Sequence, residues 1–181
     1  MLEDFFKISA NLKTIPRQGW IDKAGISSPE SVADHVFSTS VMSMVFGDLL
    51  NLDTSKLIKM SLLHDLTESI TGDITPEQIP KSEKIILENK TMDEILLHLP
   101  DHLQKNYSEI WYEFVENSTL ESKLLHEIDK LEMALQATIY SKSFTKKSFD
   151  EFLETAQTVI VNPELKKIFN SLMDDDIKKQ K

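Results

Sequence analysis

Apolar residues recur along this chain at steps of three and four rather than two, which is the period of helices with one buried face. Leu2, Phe5, Phe6, Ile8 and Leu12 predict a first amphipathic helix from Leu2 to about Leu12, closed by Pro16. Ser28-Pro29-Glu30 offers a capping serine, a proline at the first helical position and an acid in the first turn, and predicts a second helix running to about Asn51. Thr54 opens a shorter helix through Ile58 and Leu62 to His64-Asp65, and Gly72 breaks the turn that follows. Ser82 to His98 forms the next amphipathic stretch, ended by Pro100, and Asp101 starts another through Trp111 and Phe114. Thr119 can cap a long helix whose apolar face is Leu124, Leu125, Ile128, Leu131 and Leu135. Two further helices are expected from about Lys146 to Val161 and from Pro163 to Met173, before a frayed tail at residues 174–181. Within that tail Asp174-Asp175-Asp176 reads as a solvated charged end rather than a metal site. Only four glycines and six prolines punctuate the pattern, and no segment alternates as a strand would. The fold class this predicts is all-α: one multi-helix globular domain over residues 1–181.

Composition narrows what such a domain can do. A chain of 181 residues can bury one sizeable core without covalent staples. It contains no cysteine, which excludes disulfides, zinc-thiolate sites, iron–sulfur clusters and thiol nucleophiles, so any metal must be held by His, Asp and Glu. A formal charge of −10 argues against binding nucleic acid polymers, since no basic excess is present to displace counterions from a phosphate backbone. A small anionic substrate is still allowed if a metal and a local Arg or Lys make one pocket positive. No apolar run reaches the roughly 18 residues of a membrane span, and the first thirty residues carry no signal-like segment. The expected compartment is the cytoplasm.

Candidate chemistry concentrates in Leu62-Leu63-His64-Asp65-Leu66-Thr67-Glu68, followed by Gly72-Asp73-Ile74-Thr75-Pro76. A histidine followed at once by an aspartate behind an apolar run builds a poor core but a good ligand pair for a divalent first-row ion. Glu68, three residues after Asp65 and four after His64, falls on the same side of a helix. His35 sits mid-helix with Val32 and Met42 on its face, and taken alone it reads as a core histidine bonded to a backbone carbonyl. Asp129, beside the apolar stripe of its helix, needs a partner: a metal, Lys130 or another base. His98 and His102 have ligand spacing, but Pro100 between them breaks the helix such a pair requires, while His126 remains a reserve ligand. Arg17-Gln18-Gly19-Trp20, in the loop after Pro16, reads either as a surface turn with its tryptophan tucked onto the core or as part of a site.

Taken together and in order, Arg17-Gln18-Gly19-Trp20, Glu30-Ser31-Val32-Ala33-Asp34-His35, His64-Asp65 with Glu68, Gly72-Asp73-Ile74-Thr75-Pro76 and Asp129-Lys130-Leu131-Glu132-Met133 resemble the HD-domain metal phosphohydrolases, and among them the branch that contains the 5′-deoxynucleotidases. The motifs lie within residues 17–137, and Thr67 stands where the family has a small apolar residue. The resemblance implies metal ligands at His35, His64, Asp65 and Asp129, catalytic carboxylates at Glu68 and Asp73, and substrate-side residues at Arg17 and Trp20. It implies hydrolysis of deoxyribonucleoside 5′-monophosphates with a divalent ion, which nitrogen and oxygen ligands leave open among Mn, Co, Fe, Ni, Zn and Mg. Alternatives are hydrolysis of a cyclic nucleotide, a triphosphate or a signalling nucleotide, or a catalytically silent HD domain acting as a binding module. It also suggests a homodimer, for which Trp111, Tyr112 and the C-terminal helices offer apolar surface.

Overall fold

A computed structural model describes residues 2–144 and 149–178 of the chain. In order, they form α1 (Leu2–Asn11), a 3₁₀ turn (Leu12–Thr14), α2 (Gln18–Asp22), α3 (Val32–Leu49), α4 (Thr54–Leu63), α5 (Glu68–Thr71), α6 (Lys81–Leu96), α7 (Asp101–Glu116), α8 (Leu120–Tyr140), α9 (Asp150–Val159) and α10 (Pro163–Lys178). Among the described residues the only β-pairing is one antiparallel bridge between Pro16 and Ser31, so the fold is all-α as the periodicity predicts.

That bridge explains why α3 begins later than its sequence suggests. Val32 N–H donates to the Ile15 carbonyl at 2.8 Å and Arg17 N–H to the Glu30 carbonyl at 3.0 Å, which keeps residues 30–31 extended. The cap is therefore Ser31, not Ser28. Asp34 N–H donates to Ser31 Oγ at 3.2 Å, and Ser31 N–H donates back to Asp34 Oδ2 at 2.9 Å, closing a capping box. Thr119 and Ser122 cap α8 in the same reciprocal way, and Asp53 caps α4 through Lys56 N–H. Near the C-terminus α9 begins at Asp150, with Lys146 outside the described residues, and α10 continues past Met173 to Lys178.

Helix α8 is the axis of the core. Leu124, Leu125, Ile128, Leu131, Ala134 and Ala137 are buried along one side of it, against α3, α4, α7, α9 and α10. Helices α3 and α4 form a tight antiparallel hairpin. Gly47 permits this approach, since a Cβ there would stand 2.7 Å from Thr54 Oγ1 and 3.1 Å from Thr54 Cα. Midway along the hairpin Ser61 Oγ donates to Ser40 Oγ at 2.9 Å. A satellite cluster of Trp20, Ile26, Met133, Ala137, Phe149 and Phe152 packs α2 onto α8 and α9.

Apolar surface is left on the C-terminal helix, where Ile168 is exposed, but not at Trp111. Trp111 is 1 % exposed, its indole N–H donating to Asn89 Oδ1 at 2.8 Å, so it belongs to the core between α6 and α7 and cannot offer a docking face. The outward side of α3 instead carries Phe37, Val41, Met44, Val45 and Leu49, all exposed, and Leu62 of α4 is exposed too. Leu62 is thus not part of the buried face of its helix, which consists of Leu57, Met60, Ser61 and Leu63.

Candidate metal centre

Three elements converge on one point. His35 lies in the first turn of α3, fully buried; Asp129 lies midway along α8; and His64 caps the C-terminus of α4. Past Leu63 the chain turns tightly, with Leu66 N–H donating to the Leu63 carbonyl and Glu68 N–H to the Asp65 carbonyl, each at 3.0 Å. Consecutive His64 and Asp65 can then face the same point, which a continuing α-helix would not allow side by side. One ligand atom each from His35, His64 and Asp129 lies within 4.8 Å of the other two. His35 Nε2 stands 3.3 Å from Asp129 Oδ1 and 3.4 Å from His64 Nε2. Asp65 Oδ2 adjoins the trio, 3.4 Å from His64 Nε2 and 3.6 Å from His35 Nε2, and pairs on its other side with Arg17 Nη1 at 3.5 Å.

Hydrogen bonds behind the imidazoles decide what they can do. His64 Nδ1 lies 2.6 Å from the Ser61 carbonyl oxygen, and His35 Nδ1 lies 2.6 Å from Glu132 Oε2. A carbonyl and a carboxylate only accept, so each Nδ1 carries a hydrogen and each Nε2 is the nitrogen that faces the centre, able to offer a lone pair to a metal that displaces any proton there. Two imidazole nitrogens 3.4 Å apart beside two carboxylates make a place for positive charge, which a bound cation would supply in place of a proton on His35. Asp65 Oδ2 and Glu68 Oε2 are buried and accept no hydrogen bond, as expected of oxygens turned toward such a cation or its bound water. Nitrogen and carboxylate donors without sulfur fit a divalent first-row ion, so the residues present suit the metal they were expected to hold.

Electrostatics agree. Burial and the Arg17 charge act to lower the His35 pKa, but hydrogen bonds from its ring to the Asp129 and Glu132 carboxylates outweigh them and lift it to about 9. Burial likewise opposes the ionisation of Asp129 and Asp65. Lys130 and His35 nevertheless hold the Asp129 carboxyl well below its usual range, and His64, His35 and Arg17 lower that of Asp65. Glu68 is different: burial, reinforced by the charges of Asp65 and Asp73, pushes its pKa well above the ordinary carboxyl range. Its Oε1 lies 3.6 Å from Lys84 Nζ, which also donates to the Ile74 carbonyl at 2.8 Å.

The other expected site residues surround a cavity of about 400 Å³ that opens from the centre. Asp73 lines it, with Oδ2 accepting from Gln18 N–H at 2.7 Å, so this carboxylate fastens the start of α2. Arg17 lines it beside Asp65. Trp20 is not in a loop but inside the short helix α2; it lines the cavity, packs on Phe152 at a centroid distance of 4.3 Å with the rings tilted by 34°, and donates its N–H to Glu30 Oε1 at 3.1 Å. At 2 % exposed, Trp20 is tucked onto the core and is still a wall of the pocket. His126 takes no part. Its ring stacks on Phe114 and its Nε2 lies 3.1 Å from the Phe114 carbonyl oxygen. Sequence reasoning gave no role to Glu132 or Lys84. The three-residue step from Asp129 to Glu132 on one helix could have marked the first, whereas nothing in the sequence joins Lys84 to Glu68.

Known proteins resemble this chain over most of its length. The HD domain family model matches residues 9–171. The chain is similar to the 5′-deoxynucleotidase HDDC2 of Mus musculus, 36% identical over 171 residues that cover 93% of this chain and 84% of the relative. It is 40% identical over 147 residues to the protein of the same name from Dictyostelium discoideum, covering 77% of each. Among solved structures, the PH0347 protein of Pyrococcus horikoshii OT3 superposes with a TM-score of 0.79 at 31% identity, covering 93% of this chain and 96% of that one.

Proposed function

We propose a function from one premise: the chain belongs to the HD-domain family, whose model spans most of its length. It is a metal-dependent phosphohydrolase that cleaves deoxyribonucleoside 5′-monophosphates to deoxynucleoside and phosphate, the activity named for its similar relatives. One observation carries the reading. Two histidines whose inner nitrogens meet 3.4 Å apart among carboxylates adjoin a cavity walled by an arginine and a tryptophan. A silent binding module would have little reason to keep so costly an arrangement.

His35, His64, Asp65 and Asp129 are the residues that would hold the ion. When bound, a divalent ion supplies charge neutralisation on the phosphoryl oxygens and a water acidic enough to attack at neutral pH. Arg17 presents a planar fork to the phosphate, drawing on the guanidinium now paired with Asp65. Glu68 takes the proton of the attacking water and delivers one to the departing 5′-oxygen, a role suited to a buried carboxyl with a raised pKa. Asp73 supports it from the other side and keeps Arg17 in place by anchoring the next residue, Gln18. Trp20 packs against the deoxyribose and leaves no partner for a 2′-hydroxyl.

The metal belongs to the Mn, Co, Fe, Ni, Zn and Mg group, and the ligand set favours its later members. Residues 1–181 act as one HD unit in the cytoplasm, in keeping with a nucleotide substrate and a cysteine-free chain. The assembly is a homodimer joined across the exposed α3–α4 face rather than at Trp111, and Val41→Asp should leave a monomer on size exclusion. The deciding experiment measures phosphate release from a panel of deoxy- and ribonucleoside monophosphates, cyclic nucleotides and triphosphates, with chelated protein and with each metal restored. Metal-dependent turnover confined to deoxyribonucleoside monophosphates supports the reading. Turnover of another class alone, or none with any metal, overturns it.

A further inference from the structure

The hydrogen bonds behind the two histidines are of unlike kinds. His64 rests on the Ser61 carbonyl of its own helix, three residues back, so its orientation follows from the backbone of α4. His35 rests on Glu132, ninety-seven residues away in sequence and on another helix. Glu132 is 2 % exposed. A carboxylate so deep is costly unless a counter-charge faces it, and the hydrogen bond recorded for it is to the His35 ring at 2.6 Å. Helical geometry adds a second observation. Asp129 and Glu132 lie three residues apart on one face of α8, so the same face presents an oxygen to His35 Nε2 at 3.3 Å and another to Nδ1 at 2.6 Å. One helix thus faces both nitrogens of the imidazole. The ring can neither flip nor move its hydrogen off Nδ1 without losing the bond to Glu132.

We propose that Glu132 is a positioning residue of the metal centre: it locks His35 in the tautomer and rotation that aim Nε2 at the ion, and its charge makes that nitrogen a stronger donor, so it sets how tightly the centre holds a divalent cation. Carboxylates placed behind ligating imidazoles act in this way, and their loss typically weakens metal affinity ten- to a hundredfold. The inference rests on the metal-centre reading above. It differs from a merely structural role for Glu132, which would lower the stability of the metal-free chain and leave the affinity of the folded protein unchanged.

The test uses the full chain stripped with a chelator and titrated with Co²⁺, followed by calorimetry and by the visible absorption of the bound ion. Glu132→Gln keeps the size and an accepting oxygen but removes the charge; Glu132→Ala removes both. The expected order of affinity is wild type, then Glu132→Gln, then Glu132→Ala, with the last about ten- to a hundredfold weaker than wild type. The melting temperature of metal-free Glu132→Gln should match wild type, and saturating Co²⁺ should restore most of the lost dAMP hydrolysis in both variants. Equal Co²⁺ affinity in wild type and Glu132→Gln, together with equal affinity in any folded Glu132→Ala, overturns the proposal while leaving the metal centre intact. If Glu132→Ala does not fold, Glu132→Gln decides alone: a loss of affinity of several-fold supports the proposal, and none overturns it. If wild type binds Co²⁺ no better than a His35→Ala, Asp129→Ala double variant, the metal-centre reading itself has failed and Glu132 falls with it.

Discussion

The pocket has two ends built on opposite principles. At its deep end, His35, His64 and Asp129 come from three long helices, and both imidazoles are fixed at their outer nitrogen. At its mouth, Lys23 of the segment after α2 bridges Glu77, on the loop before α6, and Glu151 on α9, and both acids are more than half exposed. Ion pairs in water contribute about 0–1 kcal/mol and are screened by salt, whereas breaking a buried charge network typically costs about 3–5 kcal/mol. The contrast teaches a division of labour: bond cleavage is assigned to atoms that cannot drift, and admission of the substrate to groups that rearrange at little cost.

The largest expected effect therefore lies at the deep end. Asp65→Ala should abolish metal-dependent hydrolysis, a loss of about a thousandfold or more given the several kcal/mol that metal catalysis supplies, while circular dichroism shows the helices intact. Near-wild-type turnover in this variant would refute the assignment of that end. Next comes Glu68→Ala, for which kcat should fall about a hundredfold with metal content unchanged by elemental analysis. Should the metal be lost as well, Glu68 would have to be counted among the ligands, and the boundary between holding the ion and moving a proton would shift.

Between the two ends stands Trp20, and its burial dictates the choice of variant. Trp20→Ala would cost about 3–5 kcal/mol in packing alone, confusing stability with selectivity, so Trp20→Phe is the sharper probe. The ratio of kcat/KM for dAMP over AMP, expected to be about ten- to a hundredfold in wild type, should drop several-fold in Trp20→Phe. A ratio near one in wild type would remove the deoxy preference altogether. Smallest of all is Lys23→Met at the mouth: KM for dAMP should change by no more than about threefold, and less at 0.5 M salt, where exposed pairs are screened. A large loss of kcat there would mean that the mouth is part of the catalytic apparatus and that the comparison is drawn in the wrong place.

How far these features were legible in the sequence depends on how local their causes are. His64-Asp65 and Glu68 lie within two helical turns, and their spacing alone pointed to a site. His35 and Asp129 did not stand out by themselves; each had an ordinary explanation in its own helix, and only the ordered set of motifs joined them. Asp129 meets one of the partners its sequence offers, Lys130 Nζ at 3.0 Å, and also stands 3.3 Å from His35 Nε2 on another helix. The start of α3 was misjudged because its decisive partner, the Ile15 carbonyl, belongs to a different segment. Trp111 was read as surface for the same reason: its indole N–H is satisfied by Asn89, across a helix–helix contact that no local pattern announces.

The bridge between Pro16 and Ser31 has one more consequence. Because it clamps residues 15–17 to residues 30–32, Arg17 and His35 hang from a single stiff bracket rather than from independent segments. The arginine proposed to grip the phosphate and a histidine proposed to grip the ion are thereby kept in register before any substrate arrives, and the entropy of aligning them is spent during folding rather than on each turnover.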